Sequence, residues 1–148
     1  MDLALLKVMV EQQIPFNRFL GLELAHAEPG RIRLELPFRD DFLGDWVRAA
    51  LHGGVISMVA DVAGGIAVWS TLESPSLRVS TIDLRIDYLR PGKTERLVAE
   101  AAIVRVGGRI GVSDVRLFHP GAEDHLIATG KGVYAIKALK HPPAAPPA

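Results

Sequence analysis

One stretch constrains the fold more than any other: between His52 and Thr71 the chain carries a single charged residue, Asp61. Around it, Val55, Ile56, Met58, Val59, Val62, Ile66, Val68 and Trp69 cover every side of a helix expected over 49–71. A helix that is apolar all round has to be enclosed by the rest of the fold. An unpaired carboxylate in such surroundings is costly, so Asp61 must be hydrogen-bonded, paired or open to a cleft. A structural Asp bonded to nearby backbone or to a Ser accounts for this as well as a catalytic one does.

The segments on either side supply the enclosure. Leu3, Leu6, Met9 and Val10 recur at helical spacing and predict a short amphipathic helix over 3–13, ending before Pro15, with Phe16 to Leu20 as a turn. Leu22 to Ala27 and Arg31 to Leu36 read as strands divided by Pro29 and Gly30; in the second, Ile32, Leu34 and Leu36 alternate with charged residues. After the helix come Arg78 to Leu89, Arg96 to Val106, Ile110 to His119 and Leu126 to Lys137, separated by Pro91-Gly92, Gly107-Gly108 and Pro120-Gly121. Two strands, one long helix and four strands predict an α+β domain over residues 1–140, a six-stranded antiparallel sheet wrapped around a central helix. Residues 141–148, rich in Pro and Ala, are expected to be disordered.

Composition narrows the function. With 17 basic and 17 acidic residues in 148, nothing in the overall charge fits a coat for nucleic acid or an anionic membrane. No apolar run is long enough to insert as a spanning helix, and the Leu3 to Val10 stretch, interrupted by Lys7, does not read as a signal peptide. Cysteine is absent, which excludes thiolate chemistry and leans the expected location to the cytoplasm; the scattered His119, His125 and His141 show no metal-ligand spacing.

At the start of the central helix stand His52, Gly53 and Gly54. The first amides of a helix lack intrahelical partners, and the macrodipole is positive there, so a developing oxyanion is stabilised at that end. Taken alone, the three residues are better explained by a tight turn into the helix, with His52 bonded to a carbonyl. Asp61 lies nine positions after His52, about half a turn out of phase and about 13.5 Å along the axis. Within one chain the two do not readily serve one substrate; a two-fold dimer would bring each Asp61 to the other copy's His52. Gly64 and Gly65 each weaken a helix interior by about 1 kcal/mol, which close packing or substrate access would justify.

The segment LHGGVISMVADVAGGIA resembles the signature of the PaaI-type thioesterases, a branch of the hot-dog superfamily. FNRFLGLEL, STIDLRIDYLRPGK, GRIGVSDVRLF and HLIATGKGVY are similar to further parts of that family, together covering most of residues 14–137. The resemblance implies the hot-dog fold, a homodimer with active sites between subunits, commonly paired into a homotetramer, and hydrolysis of acyl-CoA without metal or redox cofactor, coenzyme A entering only as part of the substrate. It assigns Asp61 as general base or nucleophile, the Gly53 and Gly54 amides as oxyanion donors, His52 as an aid to placing the carbonyl, and Thr81 as a hydroxyl near the attacking water, with Ser80 as the neighbouring alternative. Many members carry Asn or Gln six residues before the His, where Trp46 stands here; an acyl-pocket wall and a loop anchor are both open to that indole. Coenzyme A phosphates would need cations, for which Arg90, Lys93, Arg105 and Arg109 are candidates, Arg105 and Arg109 ahead of the others because Gly107 and Gly108 in the turn between them allow close approach. Small, medium-chain and aromatic acyl groups all remain compatible. A non-catalytic acyl-CoA or acyl-lipid binding protein is the competing reading, and a hydratase on the same fold ranks behind it.

Overall fold

The computed structural model describes residues 3–74 and 76–138, so the tail expected to be disordered lies outside the described residues. Six strands form one antiparallel sheet: β1 (Glu23–Glu28), β2 (Arg31–Leu36), β5 (Leu77–Tyr88), β6 (Leu97–Val106), β7 (Ile110–Phe118) and β8 (Ala128–Ala138). Their order is β1-β2-β6-β7-β8-β5, leaving the 12-residue β5 at one edge. A small hairpin of β3 (Leu43–Asp45) and β4 (Ala50–Leu51) occupies the loop before the long helix α3 (Gly53–Trp69).

Alternation along the strands decides which face meets α3. Ile32, Leu34 and Leu36 of β2 are buried, and Arg31, Arg33 and Glu35 turn outward. On the neighbouring strands Leu97, Ala99, Val115 and Leu117 pack with Ile56, Val59, Ala63 and Ile66 of α3 in one core. Each large side chain buried there contributes about 1.5–3 kcal/mol. The outer face is a lattice of cross-strand charges, in which Arg33 meets Glu100 at 3.1 Å, Arg96 meets Glu35 at 3.2 Å and Lys131 pairs with Asp114. Pairs this exposed are worth about 0–1 kcal/mol each.

At the N-terminus the structure departs from the sequence reading. The first helix, α1 (Leu3–Val8), widens into a π-helical turn over Met9–Gln13, and Pro15 opens a second helix, α2 (Pro15–Leu20), where a turn is expected. Proline lacks the N–H that a first helical residue leaves unpaired, so it starts a helix as readily as it ends one. Gly21, at φ 72°, then closes α2 by donating to the Asn17 and Arg18 carbonyls. The buried Asn17 amide donates to the Val10 carbonyl at 3.0 Å and ties the two N-terminal turns together.

A second departure concerns α3. The chain buries Ile56, Val59, Ala60, Ala63, Gly64, Ile66, Ala67 and Val68, but Gly54, Ser57, Met58, Asp61, Val62, Gly65 and Trp69 stay partly or fully open. Those seven recur at three- and four-residue steps, so they form one stripe along the helix. A helix expected to be enclosed on every side is covered by its own chain on only part of its surface, and Asp61 sits midway along the open stripe.

Where α3 does touch the sheet it approaches closely. A Cβ added at Gly64 would lie 2.3 Å from the Tyr134 hydroxyl and 2.6 Å from Ser113 Oγ, and one at Gly111 would lie 2.4 Å from Val68. Gly64→Ala is expected to lower stability by about 1–3 kcal/mol through overpacking, although alanine is the better helix former. Urea denaturation of the two proteins checks this.

Candidate active site

His52 is the N-cap of α3. Its ring Nδ1 accepts the Gly54 N–H at 2.9 Å, and its carbonyl takes the Val55 and Ile56 amides. Because Nδ1 accepts, a neutral ring carries its proton on Nε2. Glycine at 54 leaves room for the ring to fold back, since a Cβ there would sit 2.8 Å from Nδ1. The Gly54 amide is therefore already engaged, whereas the Gly53 N–H meets no acceptor among the described residues. Across the ring's backbone passes β3, where a Cβ on Gly44 would lie 2.4 Å from His52 Cα; only glycine lets the hairpin cross this tightly.

Asp61 is held from β5. Thr81 Oγ1 donates to Asp61 Oδ1 at 2.8 Å, and the Tyr134 hydroxyl of β8 donates to the Asp61 backbone carbonyl at 3.1 Å. The Tyr88 hydroxyl, at the end of β5, donates to the Gly53 carbonyl at 2.9 Å. Thr81 and Tyr88 are seven residues apart, so strict alternation would send them to opposite faces. Between Thr81 and Asp83 the pairing with β8 slips by one residue, leaving Ile82 as a bulge, and the inward set changes from Leu77, Val79 and Thr81 to Leu84, Ile86 and Tyr88. Ser80 falls on the other face from Thr81, is exposed, and does not share the contact with Asp61.

The two ends of α3 open into different cavities. One, of about 530 Å³, is lined by His52, Gly53, Ile56, Tyr88 and Arg90, with Asp45 and Arg48 at its side. The other, of about 380 Å³, holds Asp61, Thr81 and Tyr134 above an apolar wall of Ile14, Val62, Ile66, Trp69 and Val79. No residue lines both. Arg90 donates to the Leu126 carbonyl at 3.0 Å and remains exposed beside the His52 end. Arg105, Gly108 and Arg109 surround a third hollow at the β6–β7 turn, apart from both.

Trp46 projects from the β3–β4 turn, 83 % exposed, and lines none of these cavities. The turn itself is firm. Asp45 accepts the Val47 and Arg48 amides at 3.0 Å, and the Arg48 amide, its guanidinium and the Val47 amide hold the Asp45 carboxyl below its usual range. His119 is a structural residue, its Nε2 accepting the Lys93 amide and its Nδ1 facing the Arg96 carbonyl, both at 2.8 Å. Among the described residues no three His, Cys, Asp or Glu side chains come together as a metal site, and no helix is long and apolar enough to cross a membrane.

Tyr134 and Tyr88 are the site contacts that sequence reasoning misses. A signal for the first exists in the glycines that make way for it, Gly64 in α3 and Gly132 one step back on the same face of β8. For the second it is the switch of apolar residues from odd to even positions in LRVSTIDLRIDY.

Comparison with known proteins agrees with this architecture. Residues 49–124 match the sequence model of the thioesterase superfamily. The medium/long-chain acyl-CoA thioesterase YigI of Salmonella typhimurium is 37 % identical over 147 residues, covering 90 % of this chain and 93 % of its own. Its Escherichia coli counterpart is 36 % identical over 146 residues with the same coverage. Among solved structures, a thioesterase family protein from Silicibacter pomeroyi superposes with a TM-score of 0.82 at 26 % identity, covering 93 % of this chain and 99 % of that one. A thioesterase from Haemophilus influenzae, at 21 % identity, shares the fold with a TM-score of 0.81 over 95 % of this chain and 94 % of its own. A helix-spanning sheet that carries one acid on an open helical stripe, in a chain matched along nine-tenths of its length, belongs to the hot-dog thioesterase superfamily.

Proposed function

We propose that the protein hydrolyses acyl-CoA to the free acid and coenzyme A, in the cytoplasm, at sites shared between the subunits of a homodimer. The observation that carries this reading is the Asp61 carboxylate, held by Thr81 at one oxygen and open to an apolar cavity at the middle of an uncovered helical stripe. The YigI relatives, named for acyl-CoA hydrolysis, support the substrate class.

The chemistry needs water and no metal or redox cofactor. Thr81 engages Oδ1, which leaves Oδ2 to take a proton from water as the water attacks the thioester carbon. The carbonyl oxygen becomes negative and is met at the amino end of the partner helix by the Gly53 N–H and by His52 through Nε2–H. When the C–S bond breaks, the proton passes to the coenzyme A thiolate. In the nucleophilic variant Asp61 attacks the carbonyl itself, the thiolate leaves, and water cleaves the resulting anhydride. Rapid quenching of a single turnover separates the two, because only the nucleophilic route leaves an acyl group bound covalently to Asp61, and label from heavy-oxygen water enters the Asp61 carboxylate only if that anhydride is cleaved at the aspartyl carbon.

Sharing between subunits rests on the separation of the two half-sites in one chain. The exposed β5 edge is suited to continue the sheet into a second copy, and pairing of two such dimers into a PaaI-type tetramer fits the same reading. For the acyl group, a wall of Ile14, Val62, Ile66, Trp69 and Val79 beside Asp61 favours a medium-chain or aromatic substituent over a small one. Arg90 is the cation best placed for a coenzyme A phosphate, since it lines the cavity of His52. The competing reading, a non-catalytic acyl-CoA binder, draws on Trp46 standing where many relatives have an amide.

Asp61→Asn is expected to reduce thiol release about 10²–10⁴-fold with the fold intact; undiminished release would remove Asp61 from the mechanism. Mixing refolded His52→Ala and Asp61→Asn chains, each inactive alone, is expected to restore roughly a quarter of the wild-type rate, since half the dimers are mixed and each holds one intact site. No recovery would place both groups in one chain's site. Arg90→Ala is expected to raise KM for acyl-CoA roughly tenfold while leaving KM for an acyl thioester of a short uncharged thiol unchanged; equal effects on both would rule out a phosphate contact.

A further inference from the structure

Two buried hydroxyls lie directly beneath Asp61 with no part in the reaction as written. Tyr134 of β8 is 1 % exposed and Ser113 of β7 is wholly buried, and both face the helical turn that bears the carboxylate. Burying a phenol oxygen in a core that a phenylalanine would fill equally well is unfavourable unless the hydroxyl finds partners. Here the surroundings are shaped to admit it: a Cβ at Gly64 or at Gly132 would come within 2.3 Å of the oxygen. Three positions on three elements, Gly64, Gly132 and Ser113, are thus fitted around one O–H.

That hydroxyl donates to the Asp61 carbonyl at 3.1 Å and also lies against the Asp61 side chain. Burial, then the Asp61 charge, pushes the phenol well above its usual range, so it remains a neutral donor across the working pH. Ser113 tempers this shift from behind, although its geometry falls short of a full hydrogen bond and it has no other partner among the described residues.

We infer that Tyr134, backed by Ser113, is a positioning residue for Asp61, its hydroxyl fixing the turn and the carboxylate in the orientation that presents the second oxygen to substrate. The inference rests on the reading of Asp61 as the acting acid. Thr81 on β5 holds the carboxylate and Tyr134, its cross-strand partner on β8, holds the backbone carbonyl of the same residue, so two neighbouring strands fix side chain and main chain together. The other charged group lining its cavity is Arg78 of β5, whose guanidinium lies 5.8 Å from the Trp69 ring centroid.

Tyr134→Phe keeps the ring and its packing. It is expected to lower kcat roughly tenfold with KM little changed, because a carboxylate left out of line slows attack without weakening substrate binding. Ser113→Ala is expected to act in the same direction more weakly, and to add nothing in the Tyr134→Phe background, because it works through that phenol. Should Tyr134→Phe fail to fold, a fall in kcat at unchanged KM in Ser113→Ala carries the test alone.

An unchanged kcat in the folded variants, a KM that rises in step with the fall in kcat, or effects of the two substitutions that simply add, would overturn the inference. Asp61→Asn run beside them separates the levels. If that variant is inactive while kcat of Tyr134→Phe matches wild type, only the positioning role falls. If it stays active, the acid reading falls and the positioning role with it.

Discussion

The extra residue in β5 is the constraint on which the site depends. A single strand has to steady Asp61 through Thr81 and the first turn of the same helix through Tyr88, and an unbroken pleat cannot present both. Inserting Ile82 flips the parity between them. The cost is one unpaired ladder position at the sheet edge, where such an interruption is tolerated best. Everything else at the helix, from the N-cap of His52 to the cavity below Asp61, is then referred to one rigid strand.

Close approach is the second condition. Glycines at 64, 111 and 132 clear the contacts among α3, β7 and β8, and Gly44 does the same where β3 crosses His52. Bulk at these points would push the helix off the sheet and with it the distance between Thr81 and Asp61. The glycine pair that weakens α3 as a helix is therefore compensated by tertiary packing on one side, Gly64 against Tyr134, and by an open wall of the cavity on the other, at Gly65.

Much of this was legible in the residues. All six strands of the sheet are read with boundaries within about two residues of those observed, whereas the long apolar helix starts at Gly53, four residues later than expected, because Ala50 and Leu51 pair in the small hairpin instead. Periodicity is a strong signal when one face is buried, as Ile32, Leu34 and Leu36 show. Pro15 is ambiguous in sequence because a proline marks either the end of one helix or the start of the next, and only the Gly21 cap distinguishes them. The hairpin of β3 and β4 escaped because its strands are too short for any alternation to register. For the site, Asp61 stands out as the one charge in an apolar helix and His52 by its place at the helix start, whereas Thr81 is reached only through the family resemblance, and Arg105 and Arg109 line a hollow apart from both cavities within one chain. Tyr134 was hidden by its ordinariness, an aromatic in a strand, until the space cut for its oxygen became visible.

The open stripe on α3 bears on the life of the single chain. Met58, Val62 and Trp69 give a freshly folded molecule a greasy seam of the sort that recruits unrelated sticky surfaces, and the negative charge of Asp61 interrupts that seam at its centre. A wrong partner would have to strip water from that charge without offering anything in return. In the proposed mechanism the acting carboxylate is thus also the charge that disfavours mispairing along this seam.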